Sequence, residues 1–319
     1  MLEHNLHVIS WNVRGLNCPD RRATVHETIN ASPCNLLCIQ ESKLANLDDA
    51  TTVFLGGFRL KNFATLPAVG MRGGIILLWN GDSIEASDIT VGEFHLSATI
   101  RLVHTEVSFK LTTVYGPTNS SRKDDFFAEI VAQKPAAGHL WLVNGDFNQI
   151  YRAKDKNKRN ANTSRINRFR STLDACELKE IHLQNRKFTW SNERIDPTLC
   201  KLDSFFCNPE WDLHFGSHVL SAMATSLSDH CPLFLSSDCG PKRPRKFKFG
   251  NFWIKLPGFR QVVAETWAKP TVHSEPCRIF AEKLRRTGVA LRHWSNGFFS
   301  DAKLQLTMAQ EIILRRSGS

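Results

Sequence analysis

A chain of 319 residues and 36.2 kDa with 42% hydrophobic residues can bury a sizeable core, as one large domain or two ordinary ones. No apolar run approaches the roughly 20 residues that cross a bilayer, and the start, MLEHNLHVIS, lacks the basic-then-apolar order of a secretion signal, so a nuclear or cytoplasmic protein with no membrane partner is expected. The net charge of +10 is uneven: residues 240–319 hold 16 Lys and Arg against 5 Asp and Glu, leaving 25 against 26 for residues 1–239, the distribution of a neutral body with a polyanion-binding extension.

In chain order, short runs rich in β-branched and aromatic residues predict strands at 6–13 (LHVISWNV), 35–40 (NLLCIQ), 74–80 (GIILLWN), 95–103 (HLSATIRLV), 107–115 (VSFKLTTVY), 139–146 (HLWLVNGD) and 231–237 (CPLFLSS). Helices are expected at 20–30, 121–133 and 164–178, each with Ser or Asp near its start. An α/β or α+β domain follows. Gly, two Pro and the basic run RPRKFKF between 236 and 249 mark a boundary. It divides the chain into a domain over 1–239 and a basic, mostly helical segment over 240–319, with helices at 258–267 and 276–316. The nine cysteines are scattered without a C-x-x-C pair, so neither a disulfide framework nor a zinc finger is signalled.

Several strands end in a polar residue able to do chemistry: Asn12, Glu41, Tyr115, and Asp146 with Asn148. Any one of them alone reads as a turn residue. Together, at strand ends that open into loops, they can converge on one site. In SLSDHCPLF the order is reversed, because Asp229 and His230 precede their strand; an antiparallel placement would bring them to the same sheet edge. Carboxylates with Asn oxygens and no cysteine suit Mg²⁺ or Mn²⁺. A histidine beside them supplies hydrogen bonding or proton transfer near neutral pH. Such a set fits hydrolysis of a phosphodiester. No GxxxxGK[ST] occurs, so no nucleotide cofactor is expected, and no G-x-S-x-G elbow supports a serine hydrolase.

The motifs SWNVRGLN, IQESKL, VYGPTN, NGDFNQI, KLDSFF and SLSDHCPL stand in the order found in the endonuclease/exonuclease/phosphatase superfamily. Over residues 6–237 the chain resembles in particular the apurinic-type endonuclease domain of plant LINE-type non-LTR retrotransposon proteins. The resemblance implies a four-layer sandwich of two mixed β-sheets flanked by helices. It implies Glu41 as the principal metal ligand with Asn12 and Asp229 beside it, and Asp146 and Asn148 as the pair that aligns and activates water. It further implies His230 facing phosphate, Asp203 orienting it, and Tyr115 contacting phosphate. The activity implied is a Mg²⁺-dependent DNA endonuclease nicking one strand to leave a 3′-hydroxyl for target-primed reverse transcription. Another phosphoester hydrolase of the superfamily and an inactive nucleic-acid-binding fragment are the alternatives. The segment after 240 is similar to the connector that follows the endonuclease in LINE proteins, and the lack of a polymerase motif reads as truncation before the reverse transcriptase. DNA, and RNA of the parent element through the basic tail, are the expected partners.

Departures from the family pattern include Arg14, where many apurinic-type relatives carry Asp, and Thr118, where they carry Asn. Directly after GDFN, residues 152–170 hold eight Lys and Arg against one Asp. Arg152, Lys154, Lys156, Lys158 and Arg159 are candidate phosphate contacts, with a solvated loop the equal alternative. Trp190, in FTWSN, reads as core packing ahead of base stacking, and the residues after it, 191–199, resemble the hairpin these enzymes lay along DNA.

Overall fold

The computed structural model describes residues 5–70, 72–158, 160–225, 227–238, 251–271 and 275–296, in two units, Met1–Arg243 and Pro244–Ser319. The first unit opens with β1 (Asn5–Asn12), α1 (Pro19–Asn30), β2 (Leu36–Gln40), α2 (Asp49–Gly56), β3 (Asn62–Leu66) and β4 (Ile75–Trp79). Next come β5 (Ile84–Val91), β6 (His95–Leu102), β7 (Ser108–Tyr115), α3 (Lys123–Ala132), β8 (Leu140–Asp146) and α4 (Thr163–Ala175). The short β9 (Lys179–Glu180), β10 (Trp190–Ser191) and β11 (Leu199–Cys200) precede β12 (Asp203–Cys207), α5 (Pro209–His214), β13 (Val219–Ala222) and β14 (Leu233–Asp238). Short side chains fix several helix starts: Asp48, Asn162 and Asn208 each accept a first-turn backbone N–H, at α2, α4 and α5.

Two six-stranded sheets result, in the orders β13-β14-β1-β2-β4-β3 and β5-β6-β7-β8-β12-β9. Each is mixed, with one parallel pair, β1/β2 or β7/β8, and each parallel pair is joined by the crossover that parallel strands require, here through α1 or α3. Alternate side chains separate the layers. Leu6, Val8, Leu36, Cys38 and Leu77 of one sheet meet Leu96, Ala98, Leu111, Leu142 and Phe205 of the other. Ile9, Trp11, Leu37, Ile39 and Leu78 point the opposite way, onto Val25 and Ile29 of α1 and Leu55 of α2. On the far side Val114, Trp141, Val143 and Phe206 pack with Phe126, Phe127, Phe169 and Leu173 of α3 and α4. Strands covered on both faces are buried at every position, as β2 and β4 are, which is why they read as unbroken apolar runs. The four-layer sandwich expected from the motif order is the fold observed.

Gly145, just before the end of β8, has φ +133°, and a Cβ there would lie 2.0 Å from the Val114 carbonyl oxygen of β7. Only glycine lets these two strands approach at that point.

In the second unit a short helical turn (Asn251–Lys255) precedes α6 (Phe259–Ala268) and α7 (Pro276–Asn296). Trp294 stands 6.0 Å from Trp253 and 5.9 Å from Phe259, and Trp267 stands 5.9 Å from Phe280. The basic run at 243–249 and the helix expected beyond 296 lie outside the described residues. No described helix is long and apolar enough to cross a membrane.

Candidate active site

Asn12 is the last residue of β1, Glu41 follows β2, and Tyr115 and Asp146 end β7 and β8. Antiparallel pairing sets Asp203, the first residue of β12, opposite Asp146. β14 runs antiparallel to β1, so Asp229 and His230, just ahead of it, reach the edge at which β1 ends. Asn12, Glu41, Tyr115, Asp146, Asn148, Asp229 and His230 all line one cleft of about 1070 Å³, with Asp203 buried behind His230. The backbone is strained here: Arg14, Glu41, Lys43 and Asn148, all lining the cleft, have φ between 47° and 56°. Non-glycine residues in that region cost on the order of 1 kcal/mol each and persist only where their surroundings over-determine them.

Asp146 is fully buried. Its Oδ2 accepts from Asn12 Nδ2 (2.9 Å) and Asn148 Nδ2 (3.2 Å), and its Oδ1 from the Asn148 backbone N–H (2.8 Å). Burial pushes this carboxyl up to about 6, against the pull of His230. His230 Nδ1 lies 2.9 and 3.1 Å from the two Asp203 oxygens, and its Nε2 lies 3.9 Å from Asp146 Oδ2. Burial by itself would lower the imidazole pKa; the Asp203 and Asp146 carboxylates outweigh it and push His230 up to about 9. The ring is therefore cationic at neutral pH, a donor at both nitrogens. Asp203 is fixed in turn by the Thr189 hydroxyl (2.6 Å). The ligand atoms of Asp146, Asp203 and His230 lie within 4.8 Å of one another, close enough for an ion. With Nδ1 committed to Asp203 and the ring positive, the trio reads instead as a hydrogen-bonded Asp203–His230 pair whose charged ring faces the Asp146 carboxylate at 3.9 Å.

The other carboxylates already face cations of the chain. Glu41 pairs with Lys43 Nζ (3.0 Å). Asp229 Oδ2 accepts from Arg14 Nη1 (2.5 Å) and Trp190 Nε1 (2.7 Å), and Asn12 Oδ1 accepts from the Arg14 backbone N–H (3.0 Å). The donors are hard oxygens, which fit Mg²⁺ or Mn²⁺ and not a thiophilic metal. Burial, then Glu41 and Asp146, push the Tyr115 phenol well above its ordinary range, so it stays an O–H donor. The Ser228 hydroxyl donates to the Asn12 carbonyl (2.9 Å) and accepts from the His230 N–H (3.2 Å), fastening the 228–230 turn to β1.

The basic stretch behaves unevenly. Arg152 pairs with the buried Glu180, which also takes Lys201 at 2.6 Å, and Lys158 pairs with Asp196. Lys154 is exposed, Lys156 is half-buried, and Arg159 lies outside the described residues. Asn157 ties this loop to the β10–β11 hairpin through the Pro197 carbonyl (2.8 Å) and the Leu199 N–H (2.9 Å). Trp190 is half-buried at the cleft wall, its ring 6.4 Å from that of His230. Three residues absent from the sequence reading also touch the site. Lys43 stands in the IQESKL motif and Thr189 directly precedes Trp190, so both were within reach of it. Lys123 gave no signal: it is buried at the start of α3, donates to the carbonyls of Phe147 (3.0 Å) and Asn148 (2.8 Å), and is pulled down to about 8 by burial.

No curated protein matches the sequence significantly. Solved structures match its fold. The AP endonuclease LMAP from Leishmania major is 17% identical with a TM-score of 0.59, over 73% of this chain and 88% of that one. The Xenopus laevis APE2 catalytic domain is 17% identical with a TM-score of 0.56, over 76% and 94%. The endonuclease domain of TRAS1, a telomere-specific non-LTR retrotransposon, is 14% identical with a TM-score of 0.54, over 74% and 100%. At these identities the likeness is one of fold. Residues 9–230, the span from β1 to His230 that builds the cleft, match the Endonuclease/Exonuclease/phosphatase family, and to that family the chain belongs.

Proposed function

We propose that the protein is a DNA endonuclease dependent on Mg²⁺ or Mn²⁺, of the plant LINE type, that hydrolyses one phosphodiester and leaves a 3′-hydroxyl. The observation that carries this reading is the pair of opposed groups in one cleft, a buried carboxylate at Asp146 and a cationic imidazole at His230. With its pKa at about 6, Asp146 is ionised at neutral pH yet basic enough to take a proton from water. Asn148 and Asn12 hold its oxygens in place. The water oxygen bonds to phosphorus, its proton passes to Asp146, and the bond from phosphorus to O3′ breaks, its electron pair leaving with O3′, which takes a proton from solvent to become the 3′-hydroxyl. His230 and Tyr115 donate to the phosphate oxygens as charge develops there, and Asp203 keeps His230 charged and oriented. A divalent ion held by Glu41, Asn12 and Asp229 would neutralise phosphate charge. Lys154 and Lys156 are the basic-loop residues proposed to meet the DNA backbone.

Supercoiled plasmid with Mg²⁺ tests the reading. Asp146→Ala and His230→Ala are each expected to slow nicking by roughly 10² to 10⁴ fold. Nicking that survives in both would refute the site. Turnover of a soluble phosphoester without nicking would favour a different substrate, and DNA binding without cutting an inactive fragment.

A further inference from the structure

Arg14 is the least expected residue in the cleft. Its φ is 54°, beside a glycine that takes φ 109° without strain, so the arginine side chain is kept where a smaller residue would sit more easily. Two bonds hold it: its backbone N–H donates to Asn12 Oδ1 (3.0 Å), and Nη1 to Asp229 Oδ2 (2.5 Å). The second joins the end of β1 to the turn before β14. The Arg14 side chain is 50% exposed and that of Asp229 only 5%. Asp229 is thus pinned by one of the five guanidinium N–H groups, on a half-exposed arginine that lines the cleft.

Asp229 Oδ2 carries a second donor, Trp190 Nε1 (2.7 Å), so this oxygen is saturated by the protein. A nearly buried carboxylate stripped of its cation recruits another cation, because an uncompensated buried charge is costly. Arg14 and a divalent ion therefore compete for the same carboxylate. A guanidinium held on one side by a carboxylate keeps its orientation and meets a phosphate oxygen with its free N–H groups, at little ordering cost.

We propose that Arg14 is the cation resident at Asp229: it binds a phosphate oxygen of the DNA with the N–H groups that Asp229 leaves free, and it weakens divalent-ion binding by occupying Asp229. This rests on the endonuclease reading above. The assignment makes two affinities move in opposite directions when the side chain is removed, which a merely structural role would not do.

The test uses the full chain with Arg14→Ala, Arg14→Lys and Arg14→Gly, the last because glycine accepts the left-handed backbone and preserves the fold. Mn²⁺ binding is read by electron paramagnetic resonance, and binding of a fluorescein-labelled DNA duplex in EDTA by anisotropy. Arg14→Ala and Arg14→Gly should bind Mn²⁺ roughly tenfold more tightly and DNA roughly tenfold more weakly, with the salt slope reduced by about 0.9. Arg14→Lys should restore the salt slope and the wild-type Mn²⁺ affinity. Unchanged affinities, or two losses together in Arg14→Gly, would overturn the assignment while leaving the endonuclease reading intact. Failure of the unmodified chain to bind either Mn²⁺ or DNA would overturn both.

Discussion

His230 keeps its proton at neutral pH because Asp203 and Asp146 outweigh the cost of burying the ring, and Asp203 is the larger support. Asp203→Asn, which retains the shape and the Thr189 contact, is expected to slow plasmid nicking by about 10² fold with little change in melting temperature; an unchanged rate would remove His230 from the proposed chemistry. Lys123 gives a pH test that needs no substrate. Folded, it loses its proton at about 8 against an ordinary lysine value of 10.5, so between these values the unfolded chain binds more protons than the folded one. Stability should therefore rise with pH across that window, by on the order of 1 to 3 kcal/mol. Lys123→Met should flatten the rise, read by urea denaturation at pH 7.5 and 10. At this scale the sequence showed which residues were chemically capable but not which atoms meet: the Asn12–Asp146 bond spans 134 positions and Arg14–Asp229 spans 215. Lys123 escaped notice because a lysine among Arg122, Asp124 and Asp125 looks like part of a solvated face.

Two short elements prop the site. Around β10, Trp190 bridges to His230, the Ser191 N–H donates to the Asp229 carbonyl (3.1 Å), and the Cys231 N–H to that of Thr189 (2.9 Å). The Asp229–His230 pair is thus held by a strip of backbone as well as by the Trp190 indole. Trp190→Phe, which keeps the ring and drops the N–H, is expected to reduce nicking about tenfold, the effect of one hydrogen bond to a charged group, and to leave the circular dichroism spectrum unchanged. At the β7–β8 contact, Gly145→Ala should destabilise the fold by at least about 2 kcal/mol, since the new Cβ meets both a positive φ and a carbonyl. Chemical denaturation measures it. Of the strands buried at every position, β2 and β4 were legible as apolar runs, and β12, which opens on Asp203 and Ser204, was not. Nor was β5 legible, because most of its residues are exposed and the irregularity between Ser87 and Thr90 breaks its alternation of apolar and polar residues. Nor was α2, where Thr51, Thr52 and Val53 lower helix propensity and packing of Thr52 and Leu55 overrides it. β10 and β11 are two residues each, too short to carry any period.

For the whole chain, residues 240–319 hold the excess of positive charge and none of the residues proposed for the chemistry. Ending the chain after 239 is expected to raise the Kd for DNA and lower its salt dependence, while the nicking rate at saturating DNA stays within about threefold; an equal loss of rate would place part of the chemistry beyond 239. The family and the sandwich were legible at this scale because ordered motifs mark strand ends across more than two hundred residues. The pairing of Arg152 and Lys158 with Glu180 and Asp196 was not, since net charge does not reveal which cations the fold itself occupies. The placement of β14 against β1, with Asp238 opposite Asn5, also governs time. The last strand of the sandwich pairs with its first, so the chain must close a loop spanning nearly the entire unit before Asp229 and His230 join the others. Such long-range closure belongs to slow folding, in milliseconds to seconds. Throughout synthesis and most of refolding the protein carries an unfinished cleft, so the proposed nicking should return only with the slowest kinetic phase, once β14 has docked on β1.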